Sequence, residues 1–210
     1  PDNNLWSKSR ILIIKKMKLF LPSLIKTNHM KKSNTISTLL FAILIAIGSS
    51  VNAQEFRKLD KSPMDSAAFP TSYKEANKQM KVIYSRPQLK SRELSKLAPN
   101  GEVWRTGANE APELVLYKDF NLNGTKIKAG SYSLLTIPGE KEWTIILNSD
   151  LNTWGSYYYN EKNDVARITV PTTYVSDSLE AFSIVFDGED GNVIMHIGWD
   201  TLRVSVPFTK

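Results

Sequence analysis

An all-β fold is predicted for residues 80–210: a two-sheet antiparallel sandwich of about eight strands with one or two short helical turns. Three observations predict it. Short runs of β-branched and aromatic residues recur at intervals of about ten residues. Turn residues separate these runs, and apolar and polar side chains alternate within several of them. The sequence has no cysteine, so the strands must hold together without disulfides.

Taken in order, residues 54–79 read as an extended lead-in, punctuated by Pro63 and Pro70 and lacking a sustained apolar period. The first run, 81–86, carries Val82, Ile83 and Tyr84. Others follow at 113–120, 125–128, 131–137, 143–148, 165–170, 179–187, 192–199 and 201–208. Between them fall Asn123-Gly124, Ala129-Gly130, Pro138-Gly139, Asp187-Gly188 and Asp190-Gly191. Asn-Gly suits a tight hairpin because both residues tolerate positive φ. Val193, Met195, Ile197 and Trp199 alternate with Asn192, Ile194, His196 and Gly198, and Leu202, Val204 and Val206 repeat the pattern. One buried face is expected to hold both apolar sets. Residues 134–137 and 143–147 are apolar on both faces, as in a strand covered on each side. Residues 91–97 can form two helical turns capped by Ser91 and stopped by Pro99-Asn100-Gly101, and 157–164 can form another short turn.

The front of the chain carries an address. Lys31-Lys32 precede nine unbroken apolar residues, 39–47, and Val51-Asn52-Ala53 supplies a small-residue cleavage site. Those are the three parts of a secretory signal peptide, here 30–53, and the apolar stretch is too short to span a bilayer. Export to the periplasm or medium is expected, with cleavage after Ala53 and no permanent membrane anchor. Met30 stands directly before the basic pair, so 1–29 reads as an upstream segment from a misplaced start.

The leader also accounts for the overall charge of +6. Eight of the 27 Lys and Arg residues and one of the 21 acids lie in 1–53. Residues 54–210 therefore hold 19 bases and 20 acids, a net charge of −1. Nucleic-acid binding by charge neutralisation needs a basic surface that this domain lacks. Its lone histidine, His196, and its lack of cysteine leave no ordinary zinc set. No Gly-x-Ser-x-Gly elbow is present for a serine nucleophile, and His196 reads as an exposed or hydrogen-bonded strand residue. Residues 187–192 superficially resemble a calcium loop but lack its closing Glu, and read as a hairpin turn. No metal or cofactor is expected.

One segment is too particular to be generic: Gly101-Glu102-Val103-Trp104-Arg105-Thr106-Gly107-Ala108-Asn109-Glu110-Ala111. Together with Val82-Ile83-Tyr84-Ser85-Arg86-Pro87 and Ala129-Gly130-Ser131-Tyr132-Ser133-Leu134, it resembles the bacterial domain of unknown function 2911. The likeness extends through Ile137-Pro138-Gly139, Trp143-Thr144-Ile145-Ile146 and Trp154-Gly155, and back to Leu59-Asp60-Lys61-Ser62-Pro63-Met64-Asp65. It covers nearly all of 59–208. The family usually has a Phe-Gly pair before the Leu that precedes the Pro-x-Gly turn, whereas this chain has Arg92-Glu93-Leu94-Ser95-Lys96-Leu97. The resemblance implies an exported β-rich domain and no established activity.

The segment 101–111 is the first candidate site. Glu102, Arg105, Asn109 and Glu110 crowd polar groups around Trp104. In one reading Arg105 pairs with Glu102 or Glu110, Asn109 bonds backbone, and the segment only fixes a crossover. In the other, Arg105 with Arg86 offers a planar fork to a carboxylate or phosphate, and Trp104 forms an apolar wall. The ligand contacts expected on that reading are Arg86, Trp104, Arg105, Asn109 and Glu110. A second cluster, Trp154-Gly155-Ser156-Tyr157-Tyr158-Tyr159, offers Trp154 and Tyr157 as an aromatic platform for sugar rings, or else hairpin packing. The functional expectation is a non-enzymatic module binding a small polar ligand, a glycan or an envelope protein. The alternative is an envelope hydrolase of glycosidase type using Glu102 or Glu110.

Overall fold

Burial at every second position builds this protein, shown here by a computed structural model that describes residues 55–210. The expected signal peptide at 30–53 and the expected upstream segment 1–29 lie outside the described residues. Nine antiparallel strands make up the unit 57–210: β1 (Met64–Phe69), β2 (Met80–Ser85), β3 (Glu113–Leu116), β4 (Phe120–Leu122), β5 (Thr125–Ile127), β6 (Gly130–Ile137), β7 (Glu142–Asn148), β8 (Asp164–Glu189) and β9 (Asn192–Thr209). They are hydrogen-bonded in the order β1-β2-β3-β6-β7-β8-β9-β4-β5. Among the described residues, helix is limited to α1 (Leu94–Leu97) and a 3₁₀ turn at Glu161–Asn163. Glu93, rather than Ser91, occupies the N-cap of α1, without a capping side-chain bond.

The strands form one continuous sheet instead of two separate ones. The cause is β8, whose first residues pair with β7 while the remainder pairs with β9. Runs 165–170 and 179–187, expected as separate strands, are two parts of this one element. Register shifts between Tyr174 and Leu179, and again between Leu179 and Ser183, mark irregular pairing that gives a long strand room to bend. The lead-in also contains more structure than its polar composition suggested, because β1 pairs with β2 along all six of its residues.

Beyond β2, residues 87–89 reach the far part of β8. The Leu89 N–H donates to the Glu180 carbonyl and the Phe182 N–H to the Pro87 carbonyl, both at 2.9 Å. The buried Tyr84 hydroxyl accepts from the Ile184 N–H at 3.0 Å and donates to the Ile184 carbonyl at 3.3 Å. The sheet therefore curls until its first strands meet β8, around one apolar core. Val193, Met195, Ile197, Trp199, Leu202, Val204 and Val206 all lie in that core, as alternation predicted. Asn123 and Gly124 take φ of 50° and 79° in the two-residue β4–β5 hairpin.

Candidate functional site

Two loops meet at one end of the sheet. The first, 98–112, joins α1 to β3; the second, 149–160, leaves β7. The first is anchored on β6, where the Trp104 N–H donates to the Thr136 carbonyl at 2.7 Å and the Thr136 N–H returns a bond at 3.0 Å. The buried Thr106 and Thr136 hydroxyls lie 3.1 Å apart and reinforce that pairing. The chain then passes close to β2: a Cβ at Gly107 would stand 3.0 Å from the Ser85 carbonyl oxygen. Finally the two loops zip together. The Ala111 N–H donates to the Thr153 carbonyl and the Gly155 N–H to the Asn109 carbonyl, each at 3.0 Å, which sets Glu110 opposite Trp154.

Two adjoining cavities lie along this junction, sharing Met64, Ser85 and Glu110. One, of about 260 Å³, is also lined by Glu113, Ser133 and Asn152. The other, of about 180 Å³, is lined by Arg57, Asp60, Asn109 and Trp154. The groove thus has an aromatic edge, since Trp154 is 56% exposed, and a rim of amides and carboxylates. The Ser62 N–H, and after it the Asn109 amide, hold Asp60 below the ordinary carboxylate range. A separate cavity of about 270 Å³ lies beside α1 between Leu94, Ala98, Trp143 and Leu202, and none of the predicted site residues lines it.

The predicted contacts separate into three kinds. Asn109, Glu110 and Trp154 come together on the groove. Arg86 and Trp104 do not, and each has a structural task instead. Arg86 donates to the Asp65 carboxylate at 3.0 Å, the Phe182 carbonyl at 3.0 Å and the Ser183 hydroxyl at 2.7 Å, tying β1 and β2 to β8. Trp104 is only 7% exposed, stacked on Trp199 at 5.8 Å and edge-on to Trp143 at 6.0 Å and Phe182 at 5.4 Å. Its indole is a core side chain because the loop pairs with β6 and alternation turns Trp104 inward. Arg105 points differently: it is half-buried beside Gly155, and its Nε is enclosed without an acceptor. Tyr157 is 76% exposed and its ring lies against the same glycine.

Glu102 is exposed in a turn and lines neither part of the groove. His196 lies on the exposed side of β9 with its Nδ1 2.8 Å from the Ser205 hydroxyl. No ion pair to a carboxylate orients that ring among the described residues, so the pair lacks the third member of a triad. Sequence reasoning missed Arg57, Asp60 and Asn152. For Asp60 a signal existed: Asp followed two residues later by Ser favours the side-chain-to-backbone turn that positions its carboxylate.

Fold and groove define a β-rich domain with a polar, aromatic-edged cleft between two zipped loops. Within that class the chain belongs to the family described as Protein of unknown function (DUF2911), whose model matches residues 63–208. That family is uncharacterised. No curated protein and no solved structure gives a match.

Proposed function

We propose that this protein is an exported, non-enzymatic module that binds a saccharide in the groove between Trp154 and the Asp60, Asn109 and Glu110 side chains. The observation that carries the reading is the Glu110–Trp154 pairing, which merges two sequence clusters into one cleft. An exposed indole offers a flat apolar face to a sugar ring, while flanking carboxylates and amides accept from and donate to its hydroxyls. The N-terminal basic, apolar and small-residue succession supports export. Absence of cysteine is compatible with an oxidising compartment and leaves no acceptor for a lipid thioether.

The test is calorimetry of the purified protein against a panel of neutral and acidic oligosaccharides. Saccharide binding is expected, weakened at least tenfold in Trp154→Ala with an unchanged melting temperature, since the indole is exposed. Equal binding by Trp154→Ala, or no saccharide bound at all, rejects the groove. Expression with the native leader should give a mature N-terminus at Gln54; an intact leader on cytoplasmic material rejects export.

Hydrolysis is the competing reading, favoured by one feature: Glu110 and Asp60 line the same cavity as Trp154. Turnover of the bound saccharide that disappears in Glu110→Gln and persists in Glu102→Gln would establish it in place of simple binding.

A further inference from the structure

The charge state of the ligand can be inferred from one arginine. Arg86, Arg92, Arg167 and Arg203 each donate to two or more acceptors. Arg105 donates to none among the described residues, and no carboxylate lies within ion-pairing distance of it there. Neither Glu102 nor Glu110 supplies the partner that the sequence suggested. Its Nε is sealed from solvent and therefore from a ligand, so only the Nη groups remain for an incoming anion. A guanidinium is always charged, and a partly desolvated one without an acceptor is costly unless something else provides the anion.

The surroundings indicate what that anion belongs to. Gly155 has φ of +67°, and a Cβ there would stand 3.3 Å from Arg105 Nη1 and 2.9 Å from the Tyr157 ring. Arg105 and Tyr157 therefore converge on the bare backbone of Gly155, one residue from the exposed Trp154. The arrangement combines a planar donor fork with two exposed aromatic side chains. Asp60, Glu110 and Glu113 line the neighbouring groove with Arg57 as its basic residue, and so disfavour a ligand carrying several negative charges.

We propose that the saccharide is a uronic acid, whose ring stacks on Trp154 in the groove and whose single carboxylate reaches past Gly155 to the Arg105 Nη groups, which lie outside the two cavities. The proposal rests on the saccharide reading above and adds its charge. A carboxylate matches the fork bidentately, and one arginine suits one charge.

The experiment is calorimetry of the full protein with matched pairs, D-galacturonate against D-galactose and D-glucuronate against D-glucose, and with inorganic phosphate. The acidic member is expected to bind at least tenfold more tightly than its neutral counterpart, with the advantage shrinking as salt rises. Arg105→Gln should erase the difference between the acidic and neutral members of each pair; Arg105→Lys should retain only part of it. The wild-type comparison decides the matter even where Arg105→Gln fails to fold. Equal affinity within each pair overturns the charge inference while sparing the saccharide groove. Phosphate displacing the uronates with higher affinity overturns the choice of carboxylate. Binding of no sugar, neutral or acidic, overturns both readings.

Discussion

Replacing Trp104 with alanine separates two roles that sequence alone allows for this residue, a core packer or a ligand wall. The indole is 7% exposed and contacts three aromatic partners: a stacked Trp199 at 5.8 Å with 13° between planes, and edge-on Trp143 and Phe182. Truncating a buried Trp or Phe to Ala costs about 3–5 kcal/mol through lost transfer energy and the cavity left behind. Aromatic pairs of this geometry each add roughly 0.5–1.5 kcal/mol beyond area burial. Trp199 and Phe182 still pack against each other at 5.8 Å without Trp104, so part of the cluster survives. A loss of about 4 kcal/mol is therefore expected.

Urea denaturation followed by far-ultraviolet circular dichroism checks it. With a slope of about 2 kcal/mol per molar, the midpoint should fall by roughly 2 M. Trp104→Phe, which keeps an aromatic surface, should fall by less than half as much. A midpoint shift below about 0.3 M in Trp104→Ala, accompanied by lost saccharide binding, would refute the packing argument and return Trp104 to the ligand.

Two further perturbations probe how the sheet is closed. Tyr84→Phe removes the hydroxyl that serves both the N–H and the carbonyl of Ile184. Leaving these groups unpaired should cost about 2 kcal/mol, or roughly 4–8 °C of melting temperature, and a change under about 1 °C would show that β8 repairs itself. Asp119 is held at about 2, against an ordinary value of 3.8, first by the Ala129 N–H and then by Lys128. A folded value below the unfolded one stabilises the native state above 3.8 and loses that contribution as pH falls towards 2. Thermal melts of wild type and Asp119→Asn should thus show a gap that is full near neutrality, narrows below 3.8 and closes near 2. A pH-independent gap would assign the effect to packing.

Much of the sheet was legible because its residues obey local rules. Val193, Met195, Ile197 and Trp199 alternate cleanly, and each is buried. Asn123-Gly124 specifies its own turn. The parts that were not legible depend on partners distant in sequence. β1 is an edge strand whose first three residues are exposed, so its apolar signal is weak and only pairing with β2 defines it. Likewise, residues 171–178 between the expected runs 165–170 and 179–187 look like a connection but lie within β8, because a strand at a bend needs no apolar face there. At the site, composition flagged the right segment without telling which side chains face outward. Two-residue periodicity read through 103–106 would have turned Trp104 inward and Arg105 away from it; the structure follows that alternation, with Trp104 and Thr106 buried and Arg105 only half-buried.

The position of the groove follows from how its loops are held. Thr106, Asn109, Asn152 and Gly155 all adopt positive φ, a conformation that Gly and Asn tolerate but a β-branched Thr takes only when its surroundings enforce it. Here the enforcement comes from below and from the side. Trp104 fastens one loop into the aromatic core, and the bonds of Ala111 and Gly155 fasten the second loop to the first. Ordering of both loops is thereby part of folding, so a ligand entering between them meets side chains already in place and loses less entropy on binding. The core and the proposed carboxylate contact are consequently adjacent in one segment: Trp104 secures the backbone, and Arg105, the next residue, lies beside Gly155 with no acceptor among the described residues. A substitution that loosens Trp104 should weaken ligand binding through Arg105 as well as stability, whereas loss of Trp154 should weaken binding alone.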